Sequence, residues 1–456
     1  MTFSLTQTLA ERLAATRFEN LPSEAVDVGH QALLDALGVA VAGVVEPSGL
    51  GRITIDYTES LGGKAESSVV GGNFKTSAPN AAYANGTLCH ALDYDNTWWP
   101  RNHPASPTIP AILALAERDG LSGAAVLRAI VLAFEVQGRI RLASQGKSSG
   151  GPFHHPGVSG VMGAVAGAGA LLGLSVDQLC MAFGNAGSRA GTVTANHGTM
   201  TKPSHSGIGA RMGVEAVLLA SRGFTAADDI FGAGEFLETF YGAENCDPRL
   251  LVEGFGAPYR MVTPGVAFKQ YPAKYSIHRG IEAAIELSKQ HALRPDEIEQ
   301  VTVSYPRTKL VDRPQPRDGL EGKFSLQYGV AAGLLDRRVG IDTFQDTRRF
   351  APDMAALLDR ITVEEDPSIP SDFPSSWIIV RVRTNDGRVL EERCADLRGM
   401  AGHPPTRAAW LDKFRNCVSG MLSDQDAELV IRKVEGLARA RTIRPLMTLL
   451  RKAGAD

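Results

Sequence analysis

The stretch HALDYDNTWWPRNHPASPTIPAILALAE, residues 90–117, decides how this part of the chain folds. Its first half crowds two histidines, two aspartates, an arginine, a threonine and two tryptophans together. Its second half places Ser106 and Pro107, a typical N-cap and first-turn proline, ahead of apolar residues at helical spacing. The pattern predicts a polar loop leading into a helix N-terminus, where free N–H groups favour an anion. Because such side chains seldom crowd together for packing alone, we interpret the loop as an active site for a carboxylate substrate.

The composition is typical of a soluble globular protein. The 456 residues are 44% hydrophobic and 21% charged, with a net charge of -3, and a chain of this length predicts two domains. The sequence lacks the basic patch of a nucleic-acid-binding or membrane-surface protein. Charges follow the first residues too early for a secretory signal. We therefore expect no nucleic-acid partner, no membrane and a cytoplasmic location.

The cysteines and the most apolar run argue against a metal and against a membrane span. The five cysteines are scattered, with no CxxC or CxH pair, which disfavours zinc or iron–sulfur ligation and favours a reducing compartment. We expect neither a metal nor another cofactor. The apolar run at residues 158–174 is rich in glycine and alanine, so we interpret it as a tightly packed interior helix.

The hydrophobic pattern predicts a mainly α protein with a second, smaller α/β domain. Helical spacing recurs along residues 1–264 and again from Trp410 onward, so we assign residues 1–264 plus 401–456 to a large all-helical domain. Residues 265–400 are assigned to the smaller α/β domain, because helices alternate there with strand-like segments. The turn signal Asn385-Asp386-Gly387 predicts a hairpin between two of those strands. The predicted strands cover residues 300–305, 361–363, 377–383 and 389–394.

Five later segments, together with the loop of residues 90–117, resemble the MmgE/PrpD family. They occur in the expected order along the chain: FEVQGR (134–139), FHHPGVSG (153–160), TMTKPSHSG (199–207), FKQYPAKYSIH (268–278) and KFSLQY (323–328). The resemblance covers about residues 5–440. It implies a large helical domain, a smaller α/β domain with a cleft between them, and a homodimer. It also implies chemistry on a small carboxylate without metal or organic cofactor.

The resemblance also supplies the candidate site residues. Predicted catalytic residues, matched position by position, are His103, Lys202, Tyr328, Asp93 and His154. Predicted substrate ligands are Lys269, Thr97 and Arg101. A proton next to a carboxylate is weakly acidic, so its removal requires a base and cations that hold the developing negative charge. For His90 the sequence leaves a supporting and a structural role open, and for Asp95 it favours a structural one, as a helix cap or a partner of Arg101.

Dehydration, decarboxylation and epimerisation start from similar carbanion chemistry, so the motifs alone do not separate them. We favour a hydro-lyase resembling 2-methylcitrate dehydratase, because dehydration is the commonest activity in the family. The alternatives are a decarboxylase of a cis-aconitate-like acid and an epimerase or isomerase of a dicarboxylate. A non-catalytic carboxylate-binding protein is the alternative from another class. Trp99 stands where decarboxylases of the family carry histidine, whereas the spacing from Thr97 to His103 matches them.

Overall fold

The computed structural model describes residues 4–98, 102–145, 153–232, 235–307, 311–400 and 403–454. The chain forms two compact units. The helical unit consists of Met1–Ala91, Asp95–Phe268 and Pro405–Asp456, and the α/β unit consists of Leu92–Tyr94 and Lys269–Pro404. The predicted fold class, mainly α with a smaller α/β part, is confirmed.

The helical unit is built from thirteen of the helices that the described residues form. They are α1 (Leu5–Ala15), α2 (Ser23–Val44), α3 (Leu50–Ser60), α4 (Ala78–His90), α5 (Ala105–Asp119), α6 (Gly123–Ala143), α7 (Ser159–Leu172), α8 (Val176–Gly187), α9 (Thr201–Ala220), α10 (Glu235–Tyr241), α16 (Arg407–Val418), α17 (Asp424–Glu435) and α18 (Arg444–Arg451). A short antiparallel pair, β1 (Ser67–Ser68) and β2 (Lys75–Thr76), precedes α4.

Helix α7 is the interior helix that the apolar run predicts. All its residues except the last are buried, and it packs against α5, α6 and α9. Helix α2 is the one described helix long and apolar enough to cross a membrane, a test of length and composition only. Because 72% of its most apolar window is buried inside the fold, α2 has the burial of a core helix.

Helices α4 and α9 approach each other closely, and this contact sets the position of the candidate site. A Cβ atom on Gly207 of α9 would lie 2.2 Å from the Thr87 Oγ1 and 2.3 Å from the Tyr83 carbonyl oxygen. A Cβ on Gly86 of α4 would likewise lie 2.9 Å from the Gly207 Cα. The two glycines therefore let the backbones meet, which brings the last residue of α4, His90, beside the start of α9.

Helix α5 begins two residues earlier than the sequence predicts. It starts at Ala105, with Pro104 as the N-cap residue and no side-chain cap. The expectation that Ser106 caps the helix is therefore wrong. The Ser106 hydroxyl lies inside the helix and hydrogen-bonds the hydroxyl of Ser206 on α9 at 3.0 Å. This serine ties two core helices together instead.

The α/β unit contains a four-stranded sheet and its covering helices. The strands are β3 (Ile298–Tyr305), β4 (Ile361–Glu365), β5 (Ile378–Thr384) and β6 (Val389–Cys394), in the order β4-β3-β5-β6. The helices are α11 (His278–Gln290), α12 (Gly319–Gly322), α13 (Leu326–Asp336), α14 (Asp346–Arg349) and α15 (Pro352–Leu358).

The pairing in this sheet is mixed. Strands β3 and β4 are parallel, with Val301 opposite Ile361, whereas β3–β5 and β5–β6 are antiparallel. The predicted hairpin at residues 385–387 is confirmed, since Thr384 and Arg388 close the turn between β5 and β6. The alternating inward residues of β3 and β5 pack with α11 and α13 in one buried core.

The glycine contact between α4 and α9 yields a stability prediction. We expect Gly207→Ala to destabilise the protein by about 1–3 kcal/mol, because the added methyl overpacks the contact, although alanine is the better helix former. The measurement is thermal or urea denaturation. Gly191→Ala is the matched control, since a Cβ there meets no atom within 4 Å. Equal stability of Gly207→Ala and wild type would contradict the close-contact explanation.

Candidate active site

The centre of the candidate site is the carboxylate of Asp95, which contacts two imidazoles. Its Oδ1 lies 2.8 Å from the His90 Nδ1, and its Oδ2 lies 3.2 Å from the His103 Nδ1. The side chains of Asp95 and His90 are fully buried, whereas that of His103 is 15% exposed. Of the two imidazoles on this carboxylate, His103 is therefore the one that a small molecule reaches.

Lys202 extends this chain of contacts from the other side of His90. It is the second residue of α9, and it is buried. Its Nζ donates a hydrogen bond to the His90 Nε2 at 3.0 Å. Because the ammonium has no acceptor lone pair, these contacts assign the proton of the His90 ring to Nδ1, which donates it to Asp95. The three residues form a continuous Asp95–His90–Lys202 relay.

Burial and the neighbouring charges fix the protonation of the relay. Burial, reinforced by Lys202, lowers the pKa of His90 to about 3 despite the attraction of Asp95. Burial alone would raise the pKa of Asp95, but its contacts with His90 and His103 hold that pKa well below its usual range. At neutral pH the relay therefore holds a neutral imidazole and an ionised carboxylate.

The loop that carries Asp95 and His103 is held by amide side chains. The Asn96 Oδ1 accepts from the backbone N–H of Ala105 at 3.3 Å, and the Asn102 Oδ1 accepts from the backbone N–H of His103 at 2.9 Å. The Asn102 Nδ2 donates to Gln137 on α6 at 2.9 Å. These bonds attach the loop to α5 and α6, so the position of His103 is set by the helical core.

A buried ion pair between α2 and α16 contacts the same loop. The Asp35 carboxylate on α2 lies 2.6 Å from the Lys413 ammonium on α16. Burial raises the pKa of Asp35, whereas Lys413 and the backbone N–H of Asn96 lower it. The C-terminal helices thus belong to the helical unit. One of them, α16, supplies the positive charge that balances Asp35 next to the loop.

His154 belongs to a second group of imidazoles in the helical unit. Its Nδ1 lies 3.0 Å from the Nδ1 of His205, so one of these atoms donates and the other accepts. Its ring centroid lies 5.8 Å from that of His90 and 6.2 Å from that of His103. Burial and the Lys202 charge lower the pKa of His154 well below its usual value. A neutral His154 therefore stands beside the relay.

Two predicted substrate ligands lie in the loop. Thr97 is buried, its Oγ1 donates to the Asn102 carbonyl at 2.6 Å, and its backbone pairs in both directions with Ala267. Its hydroxyl hydrogen is thus engaged within the loop. Arg101 lies outside the described residues. The role of both residues as substrate ligands stays a prediction.

Asp93 and Lys269 form a buried ion pair within the α/β unit. The Lys269 Nζ lies 2.6 Å from the Asp93 Oδ1, 2.6 Å from the Asp93 carbonyl oxygen and 3.3 Å from the Ala273 carbonyl oxygen. Asp93 has a φ of 50°, a left-handed conformation that aspartate adopts more readily than most residues. These contacts give Lys269 a defined task, holding Asp93 in that conformation, beside its predicted role as a substrate ligand.

Tyr328 lies in the core of the α/β unit. It is fully buried near the start of α13, and its hydroxyl donates to the Thr343 carbonyl oxygen. Burial raises the pKa of Tyr328, so the phenol stays protonated. Its predicted catalytic role is not tested by these contacts.

The structure thus brings together three predicted residues, His103, His154 and Lys202, and adds three that the motifs did not single out. His90, Asp95 and His205 complete the contacts. His90 and Asp95 both stood inside the quoted stretch, so the residues were in view, but the contact of His90 with Lys202 joins residues 112 positions apart. His205 lies three residues after Lys202, on the same helix and one turn away.

The lowered pKa values yield a prediction about acid stability. Burial and then Lys202 lower the pKa of His205 to about 4, from an ordinary value of 6.5. Between those pH values the unfolded chain binds a proton that the folded protein excludes, so stability falls as the pH falls. We expect His205→Asn to remove up to about one proton from the uptake on unfolding.

Denaturation of both proteins between pH 7 and pH 4 measures this effect. The matched control is His291→Asn, since His291 is exposed at the end of α11. A pH dependence of His205→Asn identical to that of wild type would show that His205 does not contribute.

Comparison with known proteins identifies the family. Residues 7–247 match the MmgE/PrpD N-terminal domain and residues 271–437 the MmgE/PrpD C-terminal domain. The chain is 30% identical to the cis-aconitate decarboxylase of Mus musculus, over 98% of this chain and 93% of that protein. It is 26% identical to the 2-methylcitrate dehydratase of Cupriavidus necator, over 88% of this chain and 87% of that protein. The chain therefore belongs to the MmgE/PrpD family.

Proposed function

We propose that this protein is a lyase that transfers a proton at the carbon next to a carboxylate of a small di- or tricarboxylate, without a metal or organic cofactor. The observation that carries the proposal is the Asp95–His90–Lys202 relay, with His103 on the same carboxylate. A buried cation beside a proton-transferring imidazole is what this chemistry requires.

Lys202 is suited to hold the negative charge of the intermediate. A carbanion next to a carboxylate spreads its charge onto the carboxylate oxygens as an enediolate. The Lys202 ammonium is buried at the N-terminal end of α9, where the helix dipole adds to its positive field. The neighbouring His90 is neutral because of its low pKa, so it accepts a hydrogen bond from the ammonium without cancelling its charge.

His103 is suited to transfer the proton. Its ring is partly exposed, and Asp95 holds its Nδ1, which orients the ring and stabilises the imidazolium when a proton arrives. His154 is the second candidate for proton transfer, because its ring centroid lies 6.2 Å from that of His103. Asp93 and Tyr328 remain proposed catalytic groups, from the family resemblance alone.

Decarboxylation of a cis-aconitate-like acid is our first candidate reaction. The relatives named cis-aconitate decarboxylase match the chain over 95–98% of its length. In such a reaction the bond to one carboxylate breaks and carbon dioxide leaves. The electron pair is delocalised toward a remaining carboxylate near Lys202, and an imidazole returns a proton to carbon.

Dehydration is the second candidate, and it is the reaction that the sequence favoured. Relatives named 2-methylcitrate dehydratase match the chain at 23–26% identity. There a base removes the proton next to the carboxylate, and an acid protonates the departing hydroxyl. The Asp95–His90–Lys202 relay and His103 offer groups for both steps of a dehydration. We therefore rank decarboxylation above dehydration only on the identities of the relatives.

A substrate test separates these reactions. The protein is incubated with cis-aconitate, citrate and 2-methylcitrate. Carbon dioxide released from cis-aconitate supports decarboxylation, and alkene absorbance gained from a hydroxy acid supports dehydration. Deuterium exchange next to a carboxylate without either product would replace both with epimerisation. Binding of these acids without any turnover would make the chain a carboxylate-binding protein and overturn the lyase proposal.

The roles of His103 and Lys202 yield a kinetic prediction. We expect His103→Ala and Lys202→Met each to lower kcat by about 10²–10⁴-fold, the range for loss of an acid–base or charge-stabilising group. Steady-state kinetics on the active substrate measure this, with melting temperatures as a check on folding. The controls are His291→Ala and Lys64→Met, since His291 is exposed and Lys64 is 85% exposed. A variant that changes only KM would reassign its residue to substrate binding.

The remaining parts of the proposal concern the oligomeric state of the protein and its location in the cell. We propose a homodimer, because the family resemblance implies one, and a cytoplasmic location, because the five cysteines are scattered without a disulfide pattern. Sedimentation of the purified protein tests the first, and localisation of a tagged chain tests the second.

A further inference from the structure

Three imidazoles of the candidate site converge in a way that its proton chemistry does not require. His90, His103 and His154 each place a ring nitrogen so that these atoms all lie within 4.8 Å of one another. All three belong to the helical unit. In a tetrahedral zinc site with Zn–N distances of about 2.0–2.1 Å, ligand nitrogens lie about 3.4 Å apart. The distances between the three ring nitrogens therefore exceed the spacing of a three-histidine site by at most about 1.4 Å.

The surroundings of these rings match those of metal-binding histidines. Asp95 contacts the Nδ1 atoms of both His90 and His103. A carboxylate on one ring nitrogen orients a histidine so that the other nitrogen faces the metal, and it raises the basicity of that nitrogen.

Lys202 opposes a metal at the same place. Its Nζ lies 3.0 Å from the His90 Nε2, the nitrogen that Asp95 leaves for a ligand bond. A cation and the ammonium cannot share that lone pair. A metal must therefore displace Lys202 from His90, and it would remove the group to which we assign the charge of the intermediate.

We propose that this site also binds a zinc ion through His90, His103 and His154, and that zinc competes with the Lys202 ammonium and inhibits the enzyme. Zinc is then an inhibitor rather than a cofactor. The inhibition rests on the proposed function, whereas the binding does not, so the two are tested separately.

Binding is measured on the full chain by titration calorimetry with zinc, and by visible absorption with cobalt(II) as a spectroscopic substitute. We expect His154→Ala and His103→Gln each to weaken zinc binding by at least about 10-fold, and Asp95→Asn by about 10–100-fold. The control His291→Ala should bind as wild type does, because His291 directly follows α11 in the other unit.

Lys202→Met provides the sharpest test, because it distinguishes competition from simple loss of a site. If the ammonium competes with the metal, this variant should bind zinc more tightly than wild type, although it is expected to have lost activity. Weaker zinc binding by Lys202→Met would overturn the competition. Zinc binding that is absent from wild type, or unchanged in both His154→Ala and His103→Gln, would overturn the site.

Inhibition is measured on the active substrate. Zinc should inhibit wild type, and EDTA should restore full activity, whereas EDTA alone should leave activity unchanged. Loss of activity in EDTA that zinc restores would instead make zinc a cofactor and overturn the inhibitory role, together with the cofactor-free part of the proposed function. Failure to turn over any substrate would leave the binding measurements decisive, since they do not depend on activity.

Discussion

The carboxylate of Asp95 is the constraint on which the rest of the site depends. A carboxylate buried without exposure loses several kcal/mol of hydration, and only close partners offset that loss. Its two oxygens find them in the Nδ1 atoms of His90 and His103. Because one imidazole ends α4 and the other stands in the loop before α5, the carboxylate fixes two parts of the backbone at once. The proton chemistry, the placement of Lys202 and the convergence of the histidines all follow from that arrangement.

The core of the helical unit is built to hold these parts at contact distance. Two glycines, Gly86 and Gly207, let α4 and α9 touch, and this contact carries Lys202 to His90. Amide side chains then attach the loop to neighbouring helices at several points. Such attachments matter because proton transfer tolerates little displacement of the reacting groups. The position of the site is thus set by helix packing together with the amide bonds of the loop.

Much of this could be predicted from the sequence, and the exceptions have a common physical cause. Local patterns sufficed for the hairpin at residues 385–387, for the strands and for the interior helix α7, since each depends on neighbouring residues. The motifs also pointed to His103, His154 and Lys202. The relay was missed because the contact that completes it, between His90 and Lys202, joins residues 112 positions apart. Ser106 was assigned as a cap for a related reason, since its partner Ser206 is also distant.

The Lys413–Asp35 pair has a consequence for how the protein is made. Asp35 and the loop around Asn96 are synthesised early. Lys413, which balances the charge of Asp35, is synthesised only after Lys269–Pro404 of the α/β unit. Until that lysine emerges from the ribosome, α2 carries a carboxylate without its counter-charge, and the helical unit cannot close over it at low cost. A nascent chain therefore has every residue of the relay before it has the lysine that balances Asp35. The C-terminal helices that pack on α2 therefore complete the helical unit only at the end of synthesis.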